Sequence, residues 1–381
     1  MLLTIYSILV LLYWASLAAW LLLNGRRIKY LSTINVTITE KLPSVAIIIP
    51  VRNEAYALRE ALTSVCHLDY SAYRIVVVND RSTDASGEIL MELEKQYPHL
   101  SVITIETLPK GWLGKNHALY IGSLATSEAY LLFTDADVLF KKDVLQKALQ
   151  YTVENDLDHL TILPGMISPS FLLSSVITTF VMMLTAVQRP WAARKKNSNA
   201  SIGVGAFNLV KRSVYERSGT HQAIAMRPDD DLKLAASIKA AGGSTDVLYG
   251  KGEITVEWYR SVKEFINGLM KNIFSGFRYN VWLAAGGALG TLLFFVLPIP
   301  IILIGGNNAE RLLVAGIFAL QLLLYGNLPG SGGNYAYTFL SIYSGIVIFF
   351  IIIKATIINL YNDGIYWRGT FYSLQELRKN Q

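Results

Sequence analysis

The sequence predicts an α/β fold, with a mainly parallel sheet carried between transmembrane helices at the two ends of the chain, on three observations. Residues 1–24 are almost wholly apolar, further apolar stretches follow Asn280, and short β-branched runs alternate with amphipathic helical stretches between them. Composition agrees. Of the 381 residues 52% are hydrophobic and only 16% are charged, well below the roughly 25% of an ordinary soluble chain.

Met1 to Asn24 has about the ~20 residues that a helix needs to span the hydrocarbon core, and Arg26, Arg27 and Lys29 follow at once. A cleaved signal peptide carries its positive charge ahead of the apolar run, so residues 1–24 are expected to stay as an N-terminal transmembrane anchor. The positive-inside rule then places the next domain on the cytoplasmic side of the cell membrane. The net charge of +6 is assigned to Lys and Arg flanking membrane helices; no basic stripe interleaved with aromatics calls for nucleic acid. A single cysteine, Cys66, excludes an intramolecular disulfide.

The domain is expected over residues 42–272. Val45 to Ile49 reads as a first strand stopped by Pro50, Ile75 to Val78 as a second, Val102 to Ile105 as a third and Tyr130 to Thr134 as a fourth, with helical spacing at Leu58, Leu62 and Val65 and at Ala85, Ile89 and Leu93. Continuous apolar strands are buried on both faces, as in a parallel sheet, and such sheets bind ligands at their carboxyl ends. Residues 168–190 contain the apolar run Phe171 to Val187 with a basic flank, which favours an interfacial helix over a buried core helix. Residues 281–361 hold candidate spans at Val281 to Ile304, Arg311 to Leu328 and Tyr337 to Tyr361, the first kinked by Pro298 and Pro300. The chain is thus expected to be multi-pass, and residues 362–381, with Tyr366 and Trp367, form an interfacial tail.

The chemistry sits just after the strands. Pro50-Val51-Arg52-Asn53-Glu54 closes the first, and Asn79-Asp80-Arg81-Ser82-Thr83-Asp84 closes the second. A carboxylate there can accept from a uracil or guanine N–H, while Ser82 or Thr83 is expected to cap the following helix. Lys110 to Ala118 is a glycine-bearing turn entering a helix; by its residues alone it fits a phosphate cradle with Lys115 as point charge, or an ordinary loop with a solvated lysine, equally well. Asp135-Ala136-Asp137 directly follows the fourth strand. Two such carboxylates repel unless a cation or donors stabilise them, which favours Mg²⁺ or Mn²⁺ over a solvated turn. Asp229-Asp230-Asp231 opens a helix; three carboxylates exceed what a helix dipole satisfies, and crowding raises the pKa of one toward that of a general base.

In this order and spacing the motifs resemble glycosyltransferase family 2, with its Rossmann-like GT-A nucleotide-diphospho-sugar transferase fold, over about Ser44 to Lys271. Trp112-Leu113-Gly114-Lys115 and Tyr366-Trp367-Arg368-Gly369-Thr370-Phe371-Tyr372 resemble its membrane-anchored bacterial branch of hopanoid-associated and carotenoid (diaponeurosporenoate) glycosyltransferases, and more distantly ceramide glucosyltransferase. The resemblance implies that Pro50, Arg52, Glu54, Asp80 and Lys115 lie on the nucleotide donor. It implies that Asp137, with Asp135 beside it, holds the metal diphosphate, and that Asp231 is the catalytic base with Asp230 in reserve. Gly205, in Gly203-Val204-Gly205-Ala206-Phe207, matches the acceptor-side loop, and His221 a short polar turn. The Arg-Trp motif of many membrane members is missing; Val262 to Asn272 offers Lys263, Lys271 and Asn272, and Lys271 is the candidate to replace its charge.

The expected function is inverting transfer of a hexose from a nucleotide-diphospho-sugar, UDP-sugar favoured, to a lipid or terpenoid acceptor at the cytoplasmic membrane face, with Mg²⁺ or Mn²⁺. The expected partners are that donor, that acceptor and the membrane, without nucleic acid. A processive polysaccharide synthase and a non-catalytic nucleotide-sugar-binding membrane protein stay open as alternatives.

Overall fold

Val45, Ile47 and Ile49 pack into one hydrophobic cluster and Ala46 and Ile48 into another. Burial on both faces is the reason this strand reads as an unbroken apolar run. The computed structural model describes residues 1–37, 43–367 and 370–379, without the side chains of Lys271, Trp367 and Lys379. Its contacts divide the chain into two units, one of residues 28–167 and 189–257, the other of residues 1–27, 168–188 and 258–381.

The first unit is built on eight strands: β1 (Val45–Val51), β2 (Tyr73–Asp80), β3 (Leu100–Ile105), β4 (Tyr130–Phe133), β5 (Val138–Phe140), β6 (His159–Met166), β7 (Asn208–Lys211) and β8 (Thr245–Val256). They form one sheet in the order β3-β2-β1-β4-β7-β6-β8-β5. Strands β3, β2, β1 and β4 are mutually parallel, β6 and β8 are parallel, and β7 and β5 run antiparallel to their neighbours. The strand order turns about β1, which lies between β2 and β4, and such a switch point opens a crevice at the strands' carboxyl ends. The first strand continues through Pro50 to Val51 instead of stopping at the proline. Pro50 stands one residue from the strand end, opposite Val78, where a missing N–H interrupts little of the ladder.

The second unit is helical. Phe171–Gln188 and Val262–Gly276 pack through Leu173, Val176, Phe265 and Leu269 against Val347 and Ile351 of Ser341–Tyr361. Among the described residues Leu2–Gly25, Phe171–Ala192, Asn308–Asn327 and Tyr335–Tyr361 are long and apolar enough to cross a bilayer. Val281–Val296 and Pro298–Gly305 pass the same test together, bent by 49°. The bend follows a π-helical turn, Leu292–Val296, and Pro298 opens the second segment, where its absent N–H costs nothing. In the tail, Gly364–Trp367 and Thr370–Ser373 pair as an antiparallel hairpin; Arg368 and Gly369 of the predicted motif lie outside the described residues, as does the side chain of Lys271.

Candidate active site

The loops after β1 and β2 are stitched together. Asn53, in the left-handed region at φ 56°, accepts from the Thr83 N–H at 2.7 Å, while its own N–H donates to Ser82 Oγ at 3.1 Å. The Glu54 and Ala55 N–H groups donate to Ser86 Oγ and Asp84 Oδ2. This corrects the expected capping role of Ser82 and Thr83. The helix Ser86–Gln96 starts without either of them, because both are used to hold the β1 loop. Arg52 is thereby aimed at Asp80, with Nη1 3.5 Å from Oδ2, and Arg81 grips the same carboxylate through Nε at 2.7 Å and Nη2 at 3.0 Å.

The helix Gly114–Leu124 begins against this group. A Cβ on Gly114 would stand 2.3 Å from Asp80 Oδ2, so only glycine lets the helix start there. The next residue, Lys115, reaches the other way: its Nζ lies 2.8 Å from Asp135 Oδ1 and 3.3 Å from Asp230 Oδ2. Asn116 is fully buried and its Nδ2 donates to the carbonyls of Ile224, Ala225 and Arg227 at 2.8, 3.1 and 2.9 Å. That ties the segment leading to Asp229 onto the same helix.

Gly205 joins the remaining carboxylates. Its carbonyl accepts from the Asp135 N–H at 2.9 Å, and its N–H donates to Asp231 Oδ2 at 2.9 Å. A Cβ at Gly205 would stand 2.3 Å from Asp135 Oδ2 and 3.2 Å from Lys115 Nζ. Asp231 Oδ1 accepts from the Leu232 N–H at 2.8 Å, and Asp229 is held by a two-pronged bond from Arg227. The three adjacent acids therefore have three different partners. A small cleft collects Lys115, Asp135, Gly205, His221, Asp230 and Asp231 over Leu119, Phe133 and Leu234.

Electrostatics follow from this crowding. Burial, then the neighbouring Asp230, pushes Asp231 up to about 7. Burial, then Asp135 and Glu54, pushes Asp137 up to about 7. Burial alone would lower the Lys115 ammonium, but Asp135, Asp230 and Asp231 outweigh it and hold the group charged. Burial, then Lys115, drives His221 down to about 3. This imidazole stays neutral, with Nδ1 2.9 Å from the Tyr215 hydroxyl, and serves as packing.

Part of the chain is similar to a known family. Residues 46–219 match the model of glycosyl transferase family 2. The 4,4'-diaponeurosporenoate glycosyltransferase of Staphylococcus haemolyticus is 25% identical over 244 residues, 62% of this chain and 63% of that protein. The beta-monoglucosyldiacylglycerol synthase of Synechocystis is 27% identical over 168 residues, 40% of this chain and 35% of that one. The chain thus spans less than two thirds of either relative. A solved structure, the mannosyltransferase PcManGT from Pyrobaculum calidifontis in complex with GDP-Man and Mn²⁺, superposes with a TM-score of 0.61 at 17% identity, covering 94% of this chain and 99% of that one. The fold is that of the GT-A enzymes.

Lys115, Asp135, Gly205, Asp230 and Asp231 meet in one cleft, whereas Arg52 and Asp80 form a second cluster joined to it through Gly114 and Lys115. Asp137 and Glu54 interact electrostatically. Pro50 stays within its strand. Among the described residues no three His, Cys, Asp or Glu side chains could cage an ion alone. The donor set at Asp135 and Asp137 nevertheless fits a divalent cation: both are hard oxygens at the end of β4, and the pressure on Asp137 is what a cation relieves. Mg²⁺ and Mn²⁺ accept few protein ligands and complete their shell with phosphate and water. Sequence reasoning missed the structural work of Asn116 and Arg81. The only signal for either was membership of a motif singled out for its other residues, since their contacts depend on distant loops.

Proposed function

We propose that this chain is an inverting glycosyltransferase that moves a hexose from a nucleotide-diphospho-sugar to a lipid or terpenoid acceptor at the cytoplasmic face of the membrane. One observation carries the reading: a carboxylate pushed up to about 7, Asp231, faces the same small cleft as Lys115 and Asp135 at the strands' carboxyl ends. A binding protein has little use for such a base.

Asp231 takes the proton of an acceptor hydroxyl as that oxygen bonds to the anomeric carbon. The bond from that carbon to the diphosphate breaks, and the nucleoside diphosphate leaves from the opposite face, so one displacement inverts the centre. Gly205 and Leu232 orient the Asp231 carboxylate through their N–H groups. Lys115 is placed to exchange its carboxylate partners for phosphate oxygens. A metal at Asp135 and Asp137 would supply Lewis-acid neutralisation of the leaving group. The names of the relatives above, together with helices apolar enough to cross a bilayer, support the lipid-type acceptor and the membrane setting.

The test is incubation of membranes carrying the chain with labelled nucleotide sugars, a lipid extract and Mn²⁺ or Mg²⁺, followed by identification of the product. A labelled, organic-extractable product of inverted configuration that vanishes with Asp231→Asn is expected. A ladder of polymer products, or donor binding without any turnover across the panel, would reject the reading.

A further inference from the structure

His159 opens β6 and is fully buried. Burial drives it down to about 4, so the ring is neutral. Its Nε2 lies 2.6 Å from Asn208 Oδ1, and its Nδ1, also buried, has no hydrogen-bond partner among the described residues. An amide oxygen only accepts, so the ring proton is on Nε2 and Nδ1 is left a dry acceptor. An aliphatic side chain would pack there without that penalty; what the imidazole adds is its one bond to Asn208. Asn208 is the first residue of β7, opposite Phe133 of β4. It lines the same small cleft as Lys115, Asp135 and Asp231 while only 2% exposed. With Oδ1 taken by the ring, the amide presents Nδ2, which makes no hydrogen bond among the described residues. A Cβ on Gly203 would stand 3.0 Å from that nitrogen and 2.1 Å from the Asp231 carbonyl oxygen, so the NH₂ group and the backbone of the proposed base flank one glycine.

We propose that Asn208 is a substrate-binding residue, donating its amide N–H to a hydroxyl oxygen of the hexose, and that His159 is a positioning residue that keeps the amide turned that way. This rests on the nucleotide-sugar reading given above. In that reading the hexose lies between the leaving diphosphate, at Asp135 and Asp137, and the base, Asp231. Asn208 stands between the same two ends: it pairs with Phe133, two residues before Asp135, and meets Asp231 across Gly203. Lys115 carries the charge that suits phosphate oxygens, whereas the Asn208–His159 pair carries none and suits a neutral group. A sugar hydroxyl accepts and donates at once; the amide supplies the donor, and the carboxylates of the cleft are there to accept. Thr134, also on the cleft wall, spends its hydroxyl on the Ala206 carbonyl at 2.8 Å. Sites built to hydrogen-bond a particular hydroxyl discriminate through it, because a lost partner leaves a buried polar group unpaired.

The experiment is calorimetric titration of the full chain in detergent, with Mn²⁺, by UDP-glucose, UDP-galactose, GDP-mannose, UDP and GDP, with a thermal melt of each variant. For the hexose nucleotide that the parent binds, Asn208→Ala should weaken binding about tenfold, the worth of one buried hydrogen bond. The matching nucleoside diphosphate should stay within about twofold. His159→Leu should shift the same ratio in the same direction, and His159→Gln, which keeps an N–H at the place of Nε2, should restore it. If Asn208→Ala shows no cooperative melt, the two His159 variants read the same ratio. Equal weakening of hexose nucleotide and nucleoside diphosphate marks a structural role and overturns the assignment. Parental binding by Asn208→Ala, or a parent chain that binds UDP or GDP but none of the hexose nucleotides, also overturns it. Binding of none of the five by the parent overturns the nucleotide-sugar reading itself.

Discussion

Replacing Asp231 by Asn changes one atom and removes the base. In the parent chain both carboxylate oxygens accept backbone N–H bonds, from Gly205 at 2.9 Å and Leu232 at 2.8 Å. Asn can satisfy one of these donors but must turn its own NH₂ toward the other, losing a charge-assisted bond of about 1.5–3 kcal/mol. Removing the like charge beside Asp230 offsets part of that, so the fold should survive. The chemical step fares differently. Loss of general-base help costs roughly 10²- to 10⁴-fold in turnover, or about 3–5 kcal/mol of transition-state stabilisation, with the donor KM within about threefold of the parent. Initial rates against donor concentration with a saturating lipid acceptor separate the two parameters, and a thermal melt checks the fold. A folded Asp231→Asn chain that turns over at the parental rate, while Asp230→Asn does not, would refute the assignment of Asp231.

Further outcomes follow from the same geometry. Because Asp231 is pushed up to about 7 and works ionised, kcat should rise with pH through that value. The folded carboxyl keeps its proton where an ordinary one near 3.8 would lose it, so it favours folding at low pH and that contribution fades as pH climbs toward 7; denaturation profiles should be flatter for Asp231→Asn. Added Mn²⁺ should raise the melting temperature of the parent chain but not of Asp137→Ala, and chelation should abolish transfer. Gly205→Ala pushes a methyl group into the Asp135–Lys115 pair, and a turnover loss of at least tenfold with little change in melting is expected; parental kinetics would show that the pair can move aside freely. Asn116→Ala removes the side-chain donor from the carbonyls of Ile224, Ala225 and Arg227, of which Ile224 and Ala225 keep backbone N–H partners; a cost of about 1–3 kcal/mol is expected, measured by denaturant titration.

The parallel half of the sheet was legible in the sequence because β1, β2 and β4 are buried on both faces and leave an uninterrupted apolar signature. The other half was not. Strand β5 has three residues, β7 has four, and β8 carries Gly250, Lys251, Gly252 and Glu253 in mid-run, which breaks any two-residue period. The carboxylates Asp80 and Asp135 were visible as acids after apolar strands. Ser82 misled for a physical reason: a hydroxyl before a helix is a good cap, yet here the neighbouring loop offered it a better donor in the Asn53 N–H. That Lys115 spans Asp135 and Asp230, residues 20 and 115 positions away, is a property of chain path and not of local pattern.

One peptide linker sets the reach of the chemistry. The carbonyl of Gly205 is fastened to the residue that begins the acidic turn after β4, and its N–H to the carboxylate proposed as base. In the proposed reaction a single residue without a side chain thus links the carboxylate that takes the proton to the acidic turn that would hold the leaving diphosphate. Such a coupling acts like a fixed-length gauge. On the proposed reaction, changes in surrounding loops would alter which alcohol is accepted, whereas changing the stroke would call for a change at Gly205 itself.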